Sequence, residues 1–266
     1  MPLFELLARH GRLPAGPINT GLLEEWGAMT SDGDDDLEKF LRSMGELDAE
    51  SAQGATAYEF LPVAAVLALG TRAARHPDLR DSLFHWLHGR ADDLRFRVRE
   101  AVIESLTRIG ERSPEDLLQR SAAWMDGFFH AAAVLRALSD DRVLDRLDDT
   151  AALVERIESA LQLCDGANRA MCRYPGYKEV IATLDRVAPR LAKRFGAPVL
   201  RLFEAHAGSG KPEIRALVVS LAKATSKVGR QRDEAQQMNK TLAATAKKPR
   251  DPRAAQRPTR QRSKKA

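Results

Sequence analysis

The sequence predicts an all-α protein, a helical-repeat solenoid followed by a disordered, basic C-terminal tail. Three observations carry that expectation. Almost every periodic segment between Leu3 and Lys223 spaces its apolar residues three and four apart, and no stretch alternates with period two. A small-then-large pair, Ala101 and Leu106, is preceded by 37 residues by Ala64 and Leu69 and followed after 32 by Ala133 and Leu138. Both intervals fall near the roughly 30–47-residue units of helical arrays. Beyond Thr225 the composition turns polar and strongly basic.

In chain order, helices are expected at 20–28 and 34–46, the second fed by the acidic loop Ser31-Asp32-Gly33-Asp34-Asp35-Asp36. The apolar run Phe60 to Gly70 lies inside a helix over 54–75, and Pro77-Asp78 opens the next, 78–89. Residues 92–110 read DDLRFRVREAVIESLTRIG. This is an acidic turn and then a helix over 93–111 with Val98, Ala101, Val102, Ser105, Leu106 and Ile109 on one side and Gly110 as a stop. Ser113-Pro114-Glu115-Asp116 is a strong start for 114–125: a side-chain cap, a proline whose missing N–H costs nothing, and acids facing the helix dipole. Helices at 127–138, 140–147 and 150–164 follow. Pro175-Gly176, Pro189 and Ala197-Pro198 then divide 176–188, 189–195 and 198–207, and a last helix covers 212–226. The organisation is a helical cap region at 1–50, repeats over 51–226 and a tail over 227–266. Residues 226–248 retain enough helix formers for a solvated helix, whereas the text beyond Lys247 has almost nothing to bury.

Val98, Arg99, Ala101, Leu106 and the closing Ile109-Gly110 resemble the second helix of a HEAT repeat. Ile214-Arg215 echoes Val98-Arg99 at a distance of 116 residues, but Leu217 stands where Ala101 is matched and Ala222 where Leu106 is. The resemblance covers 55–140 well and 175–226 loosely. It implies a HEAT-like stack of helix pairs whose continuous face binds a protein partner, a scaffold without a catalytic centre or cofactor. An irregular helical bundle is the alternative, because any amphipathic helix supplies an Ala-x4-Leu spacing.

The net charge of +5 conceals a division. Residues 223–266 hold 14 Lys and Arg against 3 Asp and Glu, while the preceding 222 residues hold 28 against 34. The tail cations Lys247, Lys248, Arg250, Arg253, Arg257, Arg260, Arg262, Lys264 and Lys265 can neutralise phosphates, giving weak, sequence-independent and salt-sensitive attachment to nucleic acid or another polyanion. An acidic protein is an equal candidate, and so is a merely solvated end. No aromatic residue follows Phe203, so the tail cannot stack on bases. The longest apolar run has 11 residues, about half of a membrane span. There is no signal-peptide pattern, and Cys164 and Cys172 match no zinc or redox spacing, so a cytoplasmic location without membrane attachment is expected.

Three local patterns suggest chemistry. Gly208-Ser209-Gly210-Lys211 lacks the glycine and hydroxyl that a phosphate loop needs, since Ala205 and Pro212 occupy those places, and it reads as a helix–helix turn. The loop around Asp32 resembles a cation site only by charge. His85 and His88 share a helix face, but a metal site needs further ligands, and the sequence offers only distant His76, His130 or unplaced carboxylates, so packing is the expected role. No metal is therefore assigned. Alkylpurine DNA glycosylases, built from HEAT-like pairs, supply the alternative function. Trp124, Asp126 and Phe128 with Arg95, Arg97 and Arg99 are the residues that would serve it. On one helix Trp124 and Asp126 point about 200° apart, and the acidic body opposes a cationic groove.

Overall fold

The computed structural model describes residues 3–245, and no strand occurs among them. Fourteen α-helices follow one another: α1 (Leu3–His10), α2 (Thr20–Met29), α3 (Asp35–Gly45), α4 (Phe60–Arg75), α5 (Arg80–Ala91), α6 (Phe96–Arg112), α7 (Pro114–Arg120), α8 (Phe128–Leu138), α9 (Asp141–Leu144), α10 (Thr150–Gly166), α11 (Pro175–Phe195), α12 (Ala197–Ala205), α13 (Pro212–Thr225) and α14 (Arg232–Thr245). The all-α expectation holds, and no helix of the described residues is long and apolar enough to cross a membrane.

Local chemistry accounts for most starts. Asp34 caps α3 by accepting from Leu37 N at 3.0 Å, with Asp35, Asp36 and Glu38 in the first turn. Asp32 pairs with Arg75 and His76, each at 3.1 Å, so the loop is tied to α4 by charge. At α7, Pro114, Glu115 and Asp116 are placed as expected, but the Ser113 hydroxyl makes no capping bond.

The structure differs from these expectations in five places. Pro189 does not divide a helix; α11 runs through it because Val187, Ala188, Leu191 and Ala192 are buried on either side. That burial outweighs one lost backbone bond. The expected helix at 140–147 shrinks to the single turn α9, and α1 is an addition. The helix expected at 114–125 ends at Arg120 and passes into a tight 3-10 segment, Ser121–Asp126. Within the residues expected in the tail, Arg232–Thr245 form α14, which lies against α12 and α13, burying Ala235 and Met238. Thr241 Oγ1 bonds Glu204 at 2.6 Å to hold it there. The solvated helix has a packed side.

The helices stack by sequence neighbourhood. α4 lies against α6, α6 against α8, α8 against α11, α11 against α13 and α13 against α14. Between them, α5 touches α4 and α6, α7 touches α6, α10 touches α8 and α11, and α12 touches α11 and α13. Ala64, Leu69, Ala101, Leu106, Ala133 and Leu138 are all buried, on α4, α6 and α8. Val98, Ile214, Leu217 and Ala222 are buried likewise. The closest approach joins α4 to α6. A Cβ on Gly70 would sit 2.7 Å from Ser105 Cα, and Ser105 Oγ donates to Val66 O at 3.0 Å.

Side chains also close helix ends that their own helices leave open. Arg72, buried on α4, donates to the carbonyls of Thr30, Ser31 and Gly33 after α2. Arg80 donates to Ala73 and Ala74 at the end of α4, and Arg95 to Asp48 and Ala52. Arg156 takes Leu118 O, Lys211 takes Ala167 O and Gln231 takes Ala192 O. In every case the donor lies later in the chain than the carbonyl. These bonds meet an otherwise costly buried demand.

Gly70→Ala forces α4 and α6 apart and is expected to cost about 1–3 kcal/mol. Gly89 on α5 has no neighbour within 4 Å of an added Cβ, so Gly89→Ala should stabilise the protein by about 0.5–1 kcal/mol. Urea unfolding of both variants checks the pair; equal effects at the two glycines would refute the close-approach account.

Candidate functional site

The end of α5 and the turn before α8 bring together residues that no sequence motif links. His88 stands in the last turn of α5. Met125 (φ −80°, ψ 17°) departs from helical geometry and Gly127 is extended, so Asp126 does not follow the helical course set by Trp124. Gly127 is required for its bareness: a Cβ there would lie 3.0 Å from His130 Cε1. The imidazole therefore folds back over the turn.

His88 and His130 stack with ring centroids 3.9 Å apart and planes 14° from parallel. Trp124 meets both rings edge-on, at 5.3 and 6.1 Å. His88 Nε2 lies 3.1 Å from each oxygen of Asp126. His130 Nε2 donates to the His88 carbonyl at 3.0 Å, since a carbonyl can only accept. The proton of a neutral His130 is thus on Nε2, and Nδ1 presents a lone pair. Nδ1 is buried and makes no hydrogen bond, although Asp126 Oδ1 is only 3.2 Å away, because the contact is misaligned for one. Two acceptors lie close together there with no proton between them. Burial, and then the neighbouring His88, push His130 below its ordinary value of 6.5, against the opposing pull of Asp126 and Asp92. His88, Asp126 and His130 each offer a ligand atom within 4.8 Å of the others. A groove of about 350 Å³ opens beside them, lined by Asp81, His85, His88, Arg120, Trp124 and Asp126.

An exposed apolar ledge begins one turn away. Leu94 is 87% and Phe96 60% exposed at the start of α6. The Arg99 guanidinium covers the Phe129 ring at 4.4 Å and reaches Phe96 at 5.9 Å. Tyr174, ahead of α11, packs on Phe129 at 5.6 Å and donates to Asp92 at 2.8 Å. The ledge crosses the starts of α6, α8 and α11.

Of the residues singled out in sequence, His88 joins the cluster and His85, exposed one turn earlier, does not. Trp124 is 2% exposed, packed edge-on against Phe84. The arginines expected beside it are engaged elsewhere. Arg95 is buried on Asp93 at 2.7 Å, Arg97 pairs with Glu59 at 2.7 Å, and Arg99 donates to Asp93 O at 2.6 Å. Ser209 bonds Asp165 and Lys211 lies 3.5 Å from Cys172 Sγ, so that glycine-rich segment is a helix–helix turn, as its sequence predicts. The nine tail cations from Lys247 to Lys265 lie outside the described residues. Sequence offers His130 only as one distant candidate beside His88 and does not single out Asp126 as its partner, because 42 and 38 residues of chain separate them from it. Only the break at Met125, which no sequence signal marks, aims the carboxylate.

No protein-family model matches the chain, and no curated protein matches it.

A depressed His130 gives a signed pH dependence. The unfolded chain takes up its proton near 6.5 while the folded one resists, so this contribution is intact above that pH and declines as pH falls below it. In chelator-treated protein, the stability of the wild type should drop more than that of His130→Gln between about pH 7.5 and pH 5.5. Parallel urea midpoints across that window would refute the assignment.

Proposed function

We propose that this chain is a non-catalytic, HEAT-like helical-repeat scaffold that binds a protein partner, and that its basic tail adds weak, nonspecific affinity for nucleic acid or another polyanion. The observation that carries the reading is the ledge of Leu94, Phe96, Phe129 and Tyr174, presented by three successive helices of one layer and buttressed by Arg99. Aromatic and arginine side chains anchor protein interfaces because they bury large area at small entropic cost. The partner would present an apolar segment to it.

The repeat architecture is supported by how far the side-chain hydrogen bonds reach. Those between distant helices mostly span 35 to 49 residues, from Arg146 on Glu111 O to Arg190 on Asp141. Ser105 to Val66, Arg142 to Glu104 and Thr245 to Ala207 span 39, 38 and 38. Two longer links, Tyr174 to Asp92 and Arg108 to Glu24, span 82 and 84, about two units. Nearest-neighbour contact of this kind is the mark of a quasi-one-dimensional stack.

The glycosylase alternative finds less support. Trp124 offers no free face for a base, and the three arginines nearest in sequence are bound to Asp93, Glu59 and backbone carbonyls. Many other arginines of the body are likewise paired across helices: Arg136 with Glu100 at 2.7 Å, Arg142 with Glu104 at 2.8 Å. Polyanion binding therefore rests on the tail.

Two experiments test the proposal. A photo-crosslinking amino acid at position 96, used in the native cell, should trap one defined protein, and Leu94→Asp should abolish the adduct with no change in melting temperature. An adduct that survives Leu94→Asp, or none at all, would remove the ledge from the reading. Separately, a version ending at Thr245 keeps α14 in place. In a salt titration with duplex DNA the full chain should bind with a steep negative slope and the shortened one should lose most of that affinity. Equal affinities would exclude the tail.

A further inference from the structure

We infer that His88, Asp126 and His130 form a binding site for a divalent transition-metal ion of the zinc class, linking α5 to the turn that precedes α8. The inference stands on its own geometry and does not depend on the scaffold reading.

The donor set suits such an ion: two imidazole nitrogens and a carboxylate. Spacing suits it as well. Donors about 2.1 Å from a tetrahedral ion stand about 3.4 Å apart. Here His88 Nε2 is 3.1 Å from Asp126 Oδ1, and His130 Nδ1 is 3.2 Å from the same oxygen. Because the two rings are stacked, 14° from parallel, they must rotate about their side-chain bonds for both nitrogens to face one ion.

The second, independent observation is the orphaned nitrogen. His130 Nδ1 is buried and has no hydrogen bond, although a carboxylate oxygen lies 3.2 Å away. A cation between the two converts their repulsion into two attractions. A proton could serve, but it would make an imidazolium in a half-buried site stacked on a second imidazole. A metal ion needs no protonated ring. The remaining His130 nitrogen already donates to the His88 carbonyl, which fixes both tautomer and ring orientation in the way that ligating histidines are usually held. For His88, ligation through Nε2 leaves the ring proton on Nδ1 and replaces the contact with Asp126 by shared coordination of the ion.

Three protein ligands leave a coordination position free. The groove bearing Asp81, His85 and Arg120 adjoins the cluster, so a water or a small anionic group is the fourth ligand. The exposure of Asp126, 55%, gives the ion a path in from solvent.

The test uses untagged, full-length protein stripped with chelator and titrated with Co(II) at neutral pH. Expected are one bound ion per chain, the visible d–d absorption of a four- or five-coordinate site, and displacement by Zn(II). Asp126→Asn and His88→Ala should each weaken binding by more than about tenfold, which is what disturbing outer-sphere groups alone can cost. His85→Ala should leave affinity unchanged. Circular dichroism of each variant without metal shows that its helices persist. A readout that needs no variant is the Zn(II)-induced shift of histidine ring protons in the wild type, expected at His88 and His130 and absent at His85. No saturable binding, undiminished binding in Asp126→Asn, loss in His85→Ala, or ring shifts confined to other histidines would each overturn the site.

Discussion

The contact between Gly70 and Ser105 sets the spacing on which the remaining stack is built. With no Cβ on Gly70, α4 and α6 approach until the Ser105 hydroxyl reaches the Val66 carbonyl across the interface. The single hydroxyl proton is shared with Ala101 O within α6 at 2.8 Å, so the buried hydroxyl has partners on both helices and fixes them in height as well as distance. α6 in turn carries α8, and α8 carries α11. A shift of α6 relative to α4 would displace every contact beyond it, because close-packed interiors have no slack to absorb such a movement.

Charge in the body serves the same end. The sequence shows an acidic body holding many arginines, and charge alone cannot say whether those arginines face a ligand. Arg72, Arg80, Arg95 and Arg156 are buried, and each donates to carbonyls at a neighbouring helix end or loop. A planar guanidinium with several donors is well suited to closing two or three carbonyls at once. These residues are cationic caps, and their burial leaves little of their charge for an outside partner.

Much of the fold was legible in sequence. The recurrence of Ala64–Leu69, Ala101–Leu106 and Ala133–Leu138 picks out α4, α6 and α8, three helices packed each against the next, because burial on a helix face imposes a pattern on the sequence. Pro189 misled because proline is a local signal, while the burial of Leu191 and Ala192 that carries α11 past it is a tertiary one. α14 was read as solvated because only Ala235 and Met238 of its largely polar surface are covered. The His88 cluster is partly legible: His88 stands out and His130 is one distant candidate, but nothing in the sequence pairs Asp126 with them. The other members approach His88 from the turn before α8 and from α8 itself, and a 3-10 turn with no distinctive residues aims Asp126. Local pattern finds faces of helices; it does not find what meets across them.

The buried donors of Arg72, Arg80, Arg95, Arg156, Lys211 and Gln231 all point backward along the chain. That polarity gives the molecule a temporal order. On a chain emerging from the ribosome N-terminus first, the carbonyls at the end of α2 wait for α4, those of α7 for α10, and those near the end of α11 for Gln231. Each of these carbonyl groups gains its buried partner only once the later segment that carries the donor has been made.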